Sequence, residues 1–275
     1  MKLKVLVDNN TLCDSYGEWG LSFYIEDDNK KILFDTGYSN LFIENAEQME
    51  INLKELDYVA ISHGHSDHTW GLQHLIKLYR EKGIIKNERP KIIAHNKAFL
   101  SRISPIGADF GTIVSEQELS NNFELELSKE VVWITDSLVF LGEIERKYNF
   151  ENKEPIGKIL ESHGEKDDYL MDDTALVYKS TEGLVIIVGC SHSGICNIVE
   201  HAKKICKDDR VVDIIGGLHL LNPSKEQIDG TIEYMKNLNP KSLHPCHCTD
   251  LKSKIALSKV ATVEELGVGS ELEYR

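Results

Sequence analysis

Long apolar runs are absent from this 275-residue chain, and the longest strongly apolar stretch is Leu184–Val188. That is far short of the roughly 20 residues a membrane-spanning helix needs. The first eight residues, Met1 to Asp8, alternate charged and aliphatic side chains and lack the apolar core of a secretory signal. Cysteines number six (13, 190, 196, 206, 246 and 248) and show no disulfide-framework spacing, which fits a reduced, cytoplasmic setting. Basic residues are outnumbered 31 to 45, for a formal net charge of −14. A surface so acidic excludes general affinity for nucleic acid or anionic membrane, so the expected partner is a small-molecule substrate. Oligomeric state stays open. With 41% hydrophobic and 28% charged residues, the composition is that of a globular chain with a sizeable core. We expect a single domain over 1–275.

Periodicity places strands at 2–8, 21–26 and 31–34, with a hairpin turn at Asp27-Asp28-Asn29-Lys30. A helix follows from Ser39 through Met49. From Thr174 onward strands and helices alternate: strands at 174–179 and 183–188, a helix over 195–205, a strand at 211–215, a helix from Ser224, a strand at 241–245, a helix near 250–260 and a last strand near 271–274. Residues from about 100 to 170 are least regular. There Pro155, Gly157 and Gly164 are expected to break any element across 151–168. With strand-like pieces at 131–134 and 137–141, this middle reads either as strands plus loops, a cap or loop-rich insertion over a site, or as a plain solvated connection.

Chemistry concentrates in Ser62-His63-Gly64-His65-Ser66-Asp67-His68-Thr69. The apolar run Tyr58–Ile61 precedes it, and Trp70, Leu72, Leu75, Ile76 and Tyr79 follow at helical spacing, so the cluster occupies a strand-to-helix turn. His63 and His65, two apart in an extended segment, point the same way, while Asp67 and His68 aim elsewhere. That geometry suits two adjacent transition-metal ions, and imidazole with carboxylate is a ligand set that zinc, iron and manganese all accept. Zinc is the first expectation. His192, on a glycine-flanked turn after Val185–Val188, is a further ligand candidate. His219, after Gly216-Gly217, is a ligand, a general acid or a substrate contact, and the catalytic role is favoured.

His63-x-His65-x-Asp67-His68, together with Phe34-Asp35-Thr36-Gly37, resembles the signature of the metallo-β-lactamase superfamily. Gly189-Cys190-Ser191-His192, Gly216-Gly217-Leu218-His219 and Pro245-Cys246-His247-Cys248 resemble one of its subgroups, often labelled dihydropteroate-type synthases of methanopterin precursors. The resemblance implies an α/β fold, a four-layer αββα sandwich. Pro245-Cys246-His247 resembles the superfamily's terminal Pro-Gly-His, which makes His247 a ligand. The superfamily's bridging Gly-Asp pair is replaced here by Gly189-Cys190. The bridge therefore falls to Cys190 as thiolate, to Asp173 or to His192, or one metal binds weakly, and Cys190 is expected near the ions without being an essential ligand. Cys246 and Cys248 alternate with His247 and are expected to be structural. Asp35 is expected to orient ligands through hydrogen bonds.

The expected function is a dinuclear metal-dependent hydrolase. In it a metal-bound hydroxide attacks an ester, lactone, amide or phosphoester, and Asp67, His219 or metal-bound water handles the leaving-group proton. A pterin-precursor transferase or synthase is the alternative, its heterocycle and phosphate held by Trp19, Tyr38 or Arg102. A non-catalytic metal or ligand sensor is a third reading.

Overall fold

A computed structural model describes Met1–Arg275. Two sheets form its frame. The first runs in the order Glu271–Glu273, Lys2–Val7, Ser22–Asp27, Lys30–Phe34, Tyr58–Ala60, Lys91–Ala94, Glu124–Leu127. The second runs in the order Ser242–Cys246, Val211–Gly217, Leu184–Val188, Ala175–Lys179, Leu138–Phe140, Val132–Trp133.

Strand alternation sorts the side chains into layers. In the wholly buried strand Leu184–Val188, Val185 and Ile187 enter the core between the sheets, beside Phe23, Phe34 and Ile93 of the first sheet. Leu184, Ile186 and Val188 face the other way, onto Ile195, Ile198, Val199 and Ala202 of the helix Ile195–Cys206. The first sheet does the same with Leu33, Val59 and Ile92, which pack on Phe42 and Ala46 of helix Leu41–Gln48 and on Leu75 and Tyr79 of helix Leu72–Glu81. Three apolar clusters thus separate four layers. The expected αββα sandwich is what the chain forms. No helix is long and apolar enough to cross a membrane.

The turn at 27–30 closes the hairpin between Ser22–Asp27 and Lys30–Phe34, with Asp28 and Asn29 both left-handed. Ser224 caps the helix Lys225–Leu238, its hydroxyl accepting from the Gln227 amide.

The middle of the chain is more ordered than its composition suggests. Glu124–Leu127 joins the first sheet, and Leu138–Phe140 joins the second. Gly157–Glu161 and Gly164–Asp168 pair as an antiparallel hairpin, which Arg102–Ile103 extends into a third, three-stranded sheet. The expectation that Pro155, Gly157 and Gly164 would break this segment is overturned. Ser162 and His163 make the turn, and Gly164, with φ of 111°, opens the second strand opposite Glu161 instead of ending it.

Arg102 is among the largest fully buried side chains. Its Nε donates to Asp168 Oδ2 at 2.8 Å and its Nη2 to Asp172 Oδ1 at 2.5 Å. Breaking a buried ion pair leaves uncompensated charge in the interior. Arg102→Ala is therefore expected to cost about 3–5 kcal/mol, read as a lowered denaturant midpoint with an unchanged slope.

Topology determines where the chemistry sits. Lys30–Phe34 and Tyr58–Ala60 run parallel, as do Leu184–Val188, Val211–Gly217 and Ser242–Cys246. Asp35, His63, Cys190, His219 and His247 all lie just beyond the C-terminal ends of these strands, where α/β sheets gather their sites.

Candidate metal centre

Two groups of ligand atoms form at that edge. Asp67, His68, Cys190 and His247 each offer an atom, all within 4.8 Å of one another, and so do His63, Cys190 and His192. His65 belongs with the second group, its ring centroid 4.7 Å from those of both His63 and His192. Cys190 Sγ is common to both groups, a position that sequence alone left open among Cys190, Asp173 and His192. Asp173 lies outside both: its Oδ2 accepts from the Ser193 amide at 2.8 Å and the Ser193 hydroxyl at 2.5 Å.

Burial makes these groups expensive unless something binds them. His63 Nε2, His65 Nε2, both ring nitrogens of His192, His247 Nε2 and Asp173 Oδ1 are buried without a hydrogen-bond partner. Interior polar atoms are nearly always paired, so convergent unpaired imidazole nitrogens beside a thiol and a carboxylate fit a divalent transition-metal cation. The protonation states agree. Burial pushes His65 down to about 3. Burial and neighbouring imidazoles push His63 and His192 well below the usual histidine range. These three are neutral near pH 7, the form that binds metal.

The other group is electrostatically opposite. Burial works against a charged His68, but Asp67 and Asp35 outweigh it and lift the imidazole to about 9. Burial raises Asp67, but His68 and His247 outweigh it and hold the carboxyl below its ordinary value. Carboxylates that favour a proton on this imidazole favour a metal cation beside it for the same Coulombic reason.

Asp35 hydrogen-bonds to a candidate ligand and to the turn that carries the others. Its Oδ2 is 2.6 Å from His68 Nδ1 and accepts from the Ser62 hydroxyl at 2.6 Å, while Oδ1 accepts from the Ser62 amide at 2.7 Å. This leaves His68 Nε2 to face Cys190 Sγ at 3.2 Å. Such carboxylate–histidine pairs fix tautomer and ring orientation, and losing one typically weakens metal affinity about 10–100-fold. Asp35→Asn is expected to do so here, measured by competition with a chromophoric chelator.

The His219 ring lies 4.3 Å from that of His192, tilted by 54°. Burial opposes its protonation, but Cys248, Asp173 and Glu151 raise it above the ordinary histidine value. Cys248 is the residue the sequence misplaced. Strand Ser242–Cys246 ends before His247, whose φ of 51° breaks the alternation that would have turned Cys248 away. Its Sγ instead donates to the Cys190 carbonyl at 3.4 Å, and Cys190 and His219 hold its thiol below the usual range against burial. Cys246 does enter the core between the sheets. Asp35, Ser191, His219 and His247 all have left-handed φ, between 51° and 61°. Left-handed non-glycine residues gather where a site dictates backbone direction.

Two aromatic side chains flank the groups: the half-exposed Trp19, 5.4 Å from the His247 ring, and Phe110, 4.7 Å from the His65 ring. Tyr38 stacks on Trp70 at 4.5 Å. Arg102, expected as a phosphate contact for the pterin reading, is committed to Asp168 and Asp172 beneath the site.

A model of the metallo-beta-lactamase superfamily matches residues 20–198. An uncharacterized protein of Methanocaldococcus jannaschii is 31% identical over 261 residues, 94% of each chain. From the same organism, the 7,8-dihydropterin-6-methyl-4-(beta-D-ribofuranosyl)-aminobenzene-5'-phosphate synthase is 33% identical over 252 residues, covering 87% of this chain and 83% of its own. A crystal structure of a metal-dependent hydrolase of the beta-lactamase superfamily superposes with a TM-score of 0.84 at 27% identity, covering 99% of this chain and 98% of that one.

Proposed function

The chain belongs to the metallo-beta-lactamase superfamily, and from that premise we propose a dinuclear metal-dependent hydrolase acting on an ester, lactone, amide or phosphoester of a small molecule. Membership itself carries the coarser statement, a metal-dependent hydrolase type of function with divalent metal binding. The finer reading rests on one observation: two convergent groups of buried ligand atoms share the Cys190 sulfur.

In this reading His63, His65 and His192 hold one ion, and Asp67, His68 and His247 hold the other. Burial and Cys248 push the Cys190 thiol up, so it would serve both ions only as a thiolate that the cations themselves stabilise, a larger role than its sequence context suggested. Zinc is the first choice for an imidazole and thiolate set. When bound, such ions supply Lewis acidity toward a carbonyl or phosphoryl oxygen and acidify water. The chain's own residues do the rest. Asp35 and Ser62 hold His68 in its binding tautomer. Asp67 orients toward His247 at 3.3 Å. His219 keeps a proton within reach of the leaving group. Trp19 and Phe110 border the substrate's approach, and the hairpin 157–168, whose Gly157 packs against Phe110, is the cap in this reading. The six free cysteines accord with a reducing cytoplasmic setting.

The synthase reading stands second, supported by 33% identity to the pterin-precursor enzyme. Loading the metal-free protein with zinc, manganese or iron and measuring bound equivalents tests the dinuclear site. A panel of esters, lactones and phosphodiesters tests hydrolysis. About two equivalents with turnover of a panel member supports the hydrolase. Two equivalents and no turnover except with pterin substrates moves the assignment to the synthase, and no turnover of either class leaves a sensor.

A further inference from the structure

The three-histidine group is built across a joint. His63 and His65 follow a strand of the first sheet, whereas His192 follows a strand of the second. No strand ladder joins those turns, which meet where Gly189 packs closely against Ser62. One short segment, Leu170–Thr174, touches both. Asp172 Oδ2 accepts from the amide of Gly64, the residue between His63 and His65, at 2.8 Å. The next residue, Asp173, accepts from the amide and hydroxyl of Ser193, adjacent to His192. The Thr174 amide then donates to the Ser62 carbonyl at 3.0 Å. All three of these 170–174 residues are buried.

The geometry points to Asp172 and Asp173 as a paired clamp, two consecutive carboxylates that set the spacing of His63 and His65 against His192 and so preform the metal site they share. The clamp is itself braced. Arg102 compensates the Asp172 charge and ties it to Asp168, at the end of the third sheet. At Gly64 the fit is closed, since a Cβ there would come within 2.0 Å of the Ala98 carbonyl oxygen and 2.2 Å of Arg102 Nη1. From the other side, Asn152 Nδ2 donates to the His192 carbonyl at 2.7 Å. The backbones that carry all three imidazoles are thus pinned by side chains from one region, 152–173. Neither aspartate is in the ligand groups, so these are positioning residues. A cation gains most from ligands held before it arrives, because no ordering is then left to pay in binding.

The inference rests on the reading that His63, His65 and His192 hold a metal ion, and it is tested on the full-length protein with zinc alone. Asp172→Asn keeps the side-chain shape while disturbing the bonds to Gly64 and Arg102, and Ser193→Ala removes a single hydroxyl that cannot unfold the chain. Each is expected to weaken one of two zinc-binding steps about 10–100-fold, with the other step near wild type, by chelator competition. Cobalt-substituted variants should lose the absorption of that ion and keep the other's. Equal weakening of both steps with a lowered melting temperature would reduce the pair to a structural role and overturn the clamp, as would two unchanged steps. A wild-type protein that takes up no zinc would instead overturn the reading of the site.

Discussion

Replacing His63 and His65 together by alanine is expected to remove about one metal equivalent and to take turnover to the level of the metal-free protein, while most of the fold survives. The two imidazoles are most of the three-histidine group, and a lone His192 with a shared Cys190 cannot hold a divalent ion in competition with water. The fold is spared because these rings carry little of it. Their Nε2 atoms are buried without partners, and an unpaired buried polar group stabilises nothing. The three apolar clusters that unite the layers contain neither residue. Atomic spectroscopy on reconstituted protein, beside a thermal melt, reads both halves of the expectation. Full metal content in the double variant would sink the ligand assignment.

His219→Ala is expected to behave in the reverse way. Metal content and melting temperature stay near wild type, and kcat falls by roughly 10²–10⁴-fold, the range for losing a positioned acid or base. The expectation follows from placement. His219 stands against His192 and Cys248 but outside both ligand groups, so the ions are held without it. Its neighbours favour the protonated imidazole, which suits donation to a leaving group. A loss of one metal equivalent would make His219 a ligand. Normal turnover with normal metal content would make it a bystander.

Local patterns in the chain are strong where one short segment carries the whole signal. His63, His65, Asp67 and His68 lie on one turn, so strand-then-helix periodicity and residue type sufficed to find a metal motif and its family. The four layers were legible through the family resemblance; of the parallel strands in the second sheet, Leu184–Val188 is apolar on both faces, whereas Val211–Gly217 and Ser242–Cys246 carry Asp213 and His244. The signal failed where position depends on partners distant in sequence. The polar strands Gly157–Glu161 and Gly164–Asp168 have few apolar residues to alternate, and their order comes from pairing with Arg102–Ile103.

What the sequence carried by itself is therefore an inventory of candidate ligands, histidines and a carboxylate after strands, and, through the family resemblance, the αββα sandwich. Tertiary structure alone decided how that inventory divides. It placed Cys190 between the two groups and sent Asp173 to Ser193. It buried Arg102 under the site and, through the left-handed backbone at His247, turned Cys248 toward His219. The physical reason is that a side chain's chemistry is local, whereas coordination is a matter of a few ångströms between strand ends from two sheets, and that distance is set by the packing of those sheets and by the segment 170–174 that bonds to both turns.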